Sequence, residues 1–207
     1  MRREGRITKS QKKALNAFWY KYVLELSQGR IDFEKIFGRK APTILEIGFG
    51  MGNFLVTAAQ ENPNNNYIGI EIYRPGIGAV LTKLAALDLN NVHIYCADTQ
   101  DVMQQCILDN SVAEILILFP DPWPKKRHHK RRLIQAEFIS LVQQKLKAKG
   151  QLHIATDWEN YAKHIETIMK QVKGFKKIKP KSRPETKFER RGKKLGHKIR
   201  EFCFVKS

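Results

Sequence analysis

Cysteine is scarce and poorly placed for cross-linking. The 207-residue chain carries three, Cys96, Cys106 and Cys203, far apart and in no Cys-x-x-Cys pair. An odd, scattered set argues against both a disulfide framework and a zinc site, and it fits a reducing cytosol. Long apolar runs are missing too: nothing approaches the roughly 20 residues that cross a bilayer. The apolar segment nearest the start, residues 18–26, is broken by Lys21 and Glu25, which makes a poor signal-peptide core. The six histidines form no metal set, since His128 and His129 are adjacent with no acid or cysteine at ligand spacing. Acidic residues are the other shortage. Twenty Asp and Glu stand against 38 Lys and Arg, leaving a formal charge of +18.

That excess predicts attraction to polyanions, nucleic acid first among them, with simple solubilisation as the bland reading. The cations are clustered, which favours the first. One cluster, residues 125–132, follows directly on Phe119, Pro120, Asp121, Pro122, Trp123 and Pro124. An apolar run over 115–119 reads as a buried strand, so acid, aromatic and cations meet in one proline-stiffened loop at its end. A second basic set spans Lys176, Lys177, Lys179, Lys181 and Arg183, then Arg190, Arg191, Lys193 and Lys194. Residues 1–13 read as a mobile basic arm, either a phosphate contact or a disordered tail.

From residue 14 to 26 the apolar spacing is helical, and Gly29 offers a stop. Beyond Pro42, strands over 44–47, 67–72, 92–96, 112–119 and 152–155 alternate with helices over 53–60, 78–87, 101–106, 133–146 and 160–172. Such alternation implies a parallel sheet covered on both faces, with ligands beyond the strands' carboxyl ends. Segments 174–178 and 198–205 look like two more strands joined by a long basic loop, pairing antiparallel at one edge. The chain divides into a basic arm and helix over 1–40 and a main domain over 41–207.

The first strand of that series runs into Glu46, Ile47, Gly48, Phe49, Gly50, Met51, Gly52 and Asn53. Alternate glycines permit a tight turn and close approach to a ligand. Asn53 stands where a dinucleotide fingerprint needs a third glycine or alanine, which disfavours a nicotinamide pyrophosphate. Acids close three successive strands: Glu46, Glu71, suited to ribose hydroxyls, and Asp98, suited to an adenine amino group. They fit a cationic adenosine ligand without phosphates, as S-adenosyl-L-methionine is.

EIGFGMG with Glu71 and Asp98 resembles the cofactor site of class I methyltransferases. With FPDPWPKKRHHKRR, the segment Thr156, Asp157, Trp158, and RPETKFERRGKKLGH over 183–197, the chain is similar to the bacterial tRNA (guanine-N7)-methyltransferase family, from about residue 44 onward. The resemblance implies a Rossmann-like α/β fold with a seven-stranded, mostly parallel sheet and one antiparallel edge strand. It implies methyl transfer from S-adenosyl-L-methionine to guanosine 46 in the tRNA variable loop, by a cytoplasmic monomer or homodimer without a membrane partner. By the same resemblance Glu46, Gly48, Gly50, Gly52, Glu71, Asp98 and Asp121 hold the cofactor, Asp121 being also catalytic. Lys125, Asp157, Thr186, Lys187, Phe188 and Glu189 contact the guanosine, and His128 and Arg131 match further activity positions. Trp123 either stacks on the extruded base or packs between the prolines. Two other readings stand beside this one: amino-group methylation, because Asp-Pro-Trp-Pro also resembles the Asp/Asn-Pro-Pro-aromatic loop of those enzymes, and a non-catalytic RNA-binding protein on the same fold.

Overall fold

The structure, a computed structural model, describes residues 5–207; Arg2 and Arg3 of the basic arm, and the side chain of Lys187, lie outside the described residues. The chain forms two compact units, residues 1–108 and 109–207.

The first unit contains α1 (Lys9–Tyr22), β1 (Val23–Leu24), α2 (Phe33–Phe37), β2 (Thr43–Ile47), α3 (Asn53–Glu61), β3 (Asn66–Ile70), α4 (Arg74–Ala86), β4 (Val92–Tyr95) and α5 (Thr99–Gln105). Its four strands run parallel in the order β1-β4-β3-β2. Every residue of β2 and β3 is buried, as parallel strands covered on both faces require. Leu45, Ile68, Ile70 and Ile94 from the strands close on Leu55, Ile77, Leu81 and Leu84 from α3 and α4, all fully buried.

Helix α1 starts inside the segment expected to be a mobile arm. Thr8 is the reason. Its hydroxyl accepts from the Gln11 N–H at 3.2 Å, and the Gln11 side chain accepts from the Thr8 N–H at 2.8 Å, a capping box that fixes the first turn. Ala14, Leu15 and Tyr22 are buried as the helix packs on α4, and β1 then pairs with β4, so the helix ends at Tyr22 rather than near residue 26.

The second unit contains β5 (Val112–Leu118), a 3-10 helix (Lys126–Arg131), α6 (Ala136–Lys145), β6 (Leu146–Thr156), α7 (Glu159–Gln171), β7 (Phe175–Ile178), α8 (Lys187–Lys194) and β8 (Arg200–Lys206). Strand order is β5-β6-β8-β7, with β5 and β6 parallel and β8 antiparallel to both its neighbours. The arrangement is the expected Rossmann-like α/β fold. The described residues make eight strands rather than seven, the two-residue β1 being one not foreseen, and the antiparallel strand lies between β6 and β7 instead of at the edge.

Two local expectations are corrected. The connection between β7 and β8 is not all loop, because Thr186 caps α8 by accepting from the Glu189 N–H at 3.0 Å. The basic run is not all loop either. It forms its own 3-10 helix, ended where the Gln135 side chain donates to the carbonyls of His129 (3.1 Å) and Arg132 (3.3 Å).

Candidate active site

In the first unit the turn after β2 holds Gly48, Gly50 and Gly52 at φ of 73°, 55° and 64°, the left-handed region that penalises any side chain. Close approach matters as much as φ. A Cβ on Gly76, in the first turn of α4, would overlap the carbonyl oxygen of Gly50, and one on Gly52 would overlap Val80. A Cβ on Gly48 would meet nothing within 4 Å, so the turn is open there.

Glu71 secures the turn. Its Oε2 accepts from the Gly50 N–H at 2.8 Å, while Oε1 accepts from the N–H groups of Ile72 (2.8 Å) and Tyr73 (3.0 Å). A carboxylate has about four lone-pair sites, so these three bonds leave roughly one of them open on Glu71. Lys83 ties the other side of the turn, donating to the Met51 carbonyl at 3.1 Å and to the Asn53 side chain. Glu46 is buried on β2, and Asp98 caps α5 by accepting from the Gln100 N–H at 2.9 Å. Near these strand ends, burial foremost, with Glu25 and Glu71 nearby, raises the Cys96 thiol pKa above its usual value against the opposing pull of Arg74. An open left-handed cradle beside carboxylates fits a cationic adenosine ligand.

In the second unit, β5 ends in a strained loop. Phe119 (φ 55°) and Trp123 (φ 43°) both occupy the left-handed region, which costs about 1–3 kcal/mol each for a non-glycine residue. The compensation comes from Arg132, only 3% exposed. Its guanidinium donates to the Pro122 carbonyl at 2.9 Å and to Asn160 Oδ1 at 2.6 Å, and its carbon lies 4.8 Å from the Tyr161 ring centroid. Tyr161, buried with its hydroxyl pKa pushed up to about 12, accepts from the Ile134 N–H at 3.1 Å. Arg132 is therefore a strut of the Asp-Pro-Trp loop and not the phosphate contact its place in a basic run suggested. Asp121 and Lys125 are exposed on that loop.

Trp123 is held between two neighbours, with His128 edge-on at 5.8 Å and the Arg131 guanidinium 5.1 Å from its ring. Desolvation foremost, then the neighbouring cations Arg131 and Lys125, pushes the His128 pKa below its ordinary value.

After β6, Asp157 Oδ2 lies 3.0 Å from His197 Nδ1, and a Cβ on Gly192 would sit 3.1 Å from the same oxygen. Glycine in α8 thus lets the helix come against this acid. Within the segment 186–189, Thr186 and Glu189 are buried in the anchoring of α8, whereas Phe188 is 60% exposed. Arg183, counted in the sequence among basic-patch cations, is instead almost withdrawn from solvent. It donates to Glu189 at 2.8 Å and to Glu201. The signal available in the sequence was the presence of acids within this basic stretch, Glu185, Glu189 and Glu201.

Fold and glycine cradle together define a class I methyltransferase, the class whose methyl donor is S-adenosyl-L-methionine. Residues 40–202 match the family described as putative methyltransferase. The chain is 47% identical to the tRNA (guanine-N(7)-)-methyltransferase of Alcanivorax borkumensis, over 99% of this chain and 89% of that protein. It is 46% identical to the enzyme of the same name from Shewanella oneidensis, over 98% and 88%. Among solved structures, the 16S rRNA methyltransferase KamB shares the fold at 14% identity with a TM-score of 0.64, over 84% of this chain and 92% of that one. The chain belongs to the tRNA (guanine-N7)-methyltransferase family.

Proposed function

We propose that this protein transfers the methyl group of S-adenosyl-L-methionine to N7 of guanosine 46 in the tRNA variable loop. The observation that carries the reading is the Asp121 loop, strained at two residues and braced by a buried arginine, in a chain so similar to tRNA guanine-N7 enzymes. The sulfonium of the bound donor supplies an electrophilic methyl carbon. Guanine N7 already presents an in-plane lone pair and carries no proton, so Asp121 is not needed as a general base. Its part is to orient the purine and to stabilise the positive charge the ring gains, which a preorganised carboxylate does without reorganisation. Asp157, with one oxygen engaged by His197, offers the other to the guanine N1 and N2 edge.

In this reading Glu46, the turn Gly48, Gly50 and Gly52, Glu71 and Asp98 hold the adenosine part of the donor, and Asp121 is assigned to the donor as well. Lys125 and the segment Thr186, Lys187, Phe188 and Glu189 serve the guanosine. Exposed Phe188 is the member suited to stack on an extruded base. His128 and Arg131 act through Trp123, whose ring they fix.

The test is nucleotide-resolved mapping of 7-methylguanosine in tRNA after incubation with the protein and S-adenosyl-L-methionine. One mark at the variable-loop guanosine is expected; methylated adenine N6 would transfer the assignment to amino-group chemistry. Asp121→Asn should lower the single-turnover rate by about 100-fold or more while tRNA affinity falls little, in line with losing one electrostatic stabiliser.

A further inference from the structure

We infer that the outer face of α1 is a second RNA-binding surface, on which an unpaired tRNA nucleotide stacks against Tyr20 while its neighbouring phosphates meet Lys9, Lys12 and Lys13. This rests on tRNA being the substrate, as proposed above, and it assigns a surface that the methyl-transfer site does not use.

The helix separates its residues cleanly. Lys9, Lys12, Lys13, Asn16 and Tyr20 follow one another at intervals of three, one, three and four, so they form a single stripe, and all five are exposed. Ala14, Leu15 and Tyr22 take the buried side toward α4. Tyr20 is 96% exposed, an aromatic ring that contributes nothing to the core. Beside it Trp19 is fixed, its indole N–H donating to Glu25 Oε1 at 2.7 Å, and the Arg74 guanidinium lies 5.8 Å from the Trp19 ring. Leu15, Asn16, Trp19, Tyr20 and Arg74 line a hollow of about 310 Å³. The site therefore combines a free aromatic platform, a fixed aromatic wall, a guanidinium and a row of ammonium groups. These are the parts that hold single-stranded nucleic acid without reading its sequence.

Charge selects the occupant. Helix α1 contains four lysines and no Asp or Glu. A second copy docking here by two-fold symmetry would set lysine row against lysine row, which repels. A polyanion carrying unstacked bases is complementary to both the cations and the rings.

The experiment measures tRNA affinity by filter binding for the native protein, Tyr20→Ala, Tyr20→Trp and the triple variant Lys9→Gln, Lys12→Gln, Lys13→Gln. S-adenosyl-L-methionine binding, measured on each variant, verifies folding, and sedimentation is run alongside. Because base stacking on an aromatic ring is worth a factor of about 5–100, Tyr20→Ala should weaken tRNA binding by that much and Tyr20→Trp should restore it. The triple variant should flatten the salt dependence by about 2–3 in log–log slope. Unaltered affinity in Tyr20→Ala together with an unaltered slope in the triple variant overturns the proposal. So does a native dimer that Tyr20→Ala converts to a monomer with tRNA affinity intact, which would give the face to a second copy. Native protein that forms no 7-methylguanosine in tRNA would defeat the proposed function itself, whereas an active native enzyme with an indifferent Tyr20 removes this surface alone.

Discussion

Arg132 shows how one residue's burial changes its meaning. It stands in a row of eight basic residues, yet its side chain is spent on the Pro122 carbonyl, Asn160 and the Tyr161 face. Lysine keeps the charge but lacks the planar fork that makes two directed bonds at once. Arg132→Lys should therefore release the strain held at Phe119 and Trp123 and let Asp121 drift from its position. A displacement of about 1 Å at a reacting centre costs on the order of 100-fold in rate. Single-turnover methylation of Arg132→Lys is expected to fall by about 10–100-fold, with the salt dependence of tRNA binding unchanged. A normal rate combined with an altered salt response would return Arg132 to the phosphate-binding group.

Helix α8 is short, strongly basic and sits in a stretch that the sequence presents as loop, so its stability must come from a few contacts. Thr186 caps it, and the buried Glu189 carboxylate accepts from Arg183 at 2.8 Å and pairs with Lys193 at 3.2 Å. Burial alone would raise the Glu189 pKa, but the hydrogen bonds and charges of Arg183 and Lys193 outweigh it and hold the carboxyl below its ordinary 4.5. A depressed folded-state pKa means that the stabilisation is complete above about 4.5 and is lost as pH falls through the lower, folded value. Amide protection across α8, measured relative to intrinsic exchange at each pH, should fall in that acid window. In Glu189→Gln exchange should be faster at neutral pH and lose the acid step; a step that persisted would assign it to another group. This helix also marks the limit of what the sequence discloses. Periodicity and glycine placement were enough for β2, α3, β3 and the turn between Gly48 and Gly52, because burial on both faces leaves a long apolar signature. Glu46, Glu71, Asp98 and Asp121 stood out as candidates because each is an acid at or just beyond the end of an apolar strand. Capping contacts such as Thr8 with Gln11, or Thr186 with Glu189, join residues that read as polar loop, while the hydrogen-bond acceptors of Arg132 lie 10 and 28 positions away and the carboxylates paired with Arg183 lie 6 and 18. Which cation faces solvent is decided by such tertiary contacts, not by its neighbours in the chain.

At the scale of the whole molecule, a charge of +18 predicts that binding to tRNA is driven largely by release of counterions and is steep in salt. Charge count alone does not say which cations take part. Lys126, Arg127 and Lys130 are exposed on the 3-10 helix that follows the Asp121 loop, whereas Arg183 and Lys193 are already paired with carboxylates. A cation that already has an internal partner releases fewer counterions when it meets a phosphate, so the exposed three should dominate the response. Replacing Lys126, Arg127 and Lys130 together with Gln lowers the formal charge by three, a small fraction of the total. If all three meet phosphates, the slope of log affinity against log salt should nevertheless flatten by about 2–3, since each phosphate contact contributes about 0.7–0.9. Replacing Lys147, Lys170 and Lys173, three exposed lysines outside both basic clusters, removes the same charge and serves as the control. Long-range attraction would alter both triple variants alike, because it depends on net charge; direct phosphate contact changes the slope of the first and leaves that of the second close to native. Equal flattening in the two would show that the basic run acts through the overall field and not as a contact surface.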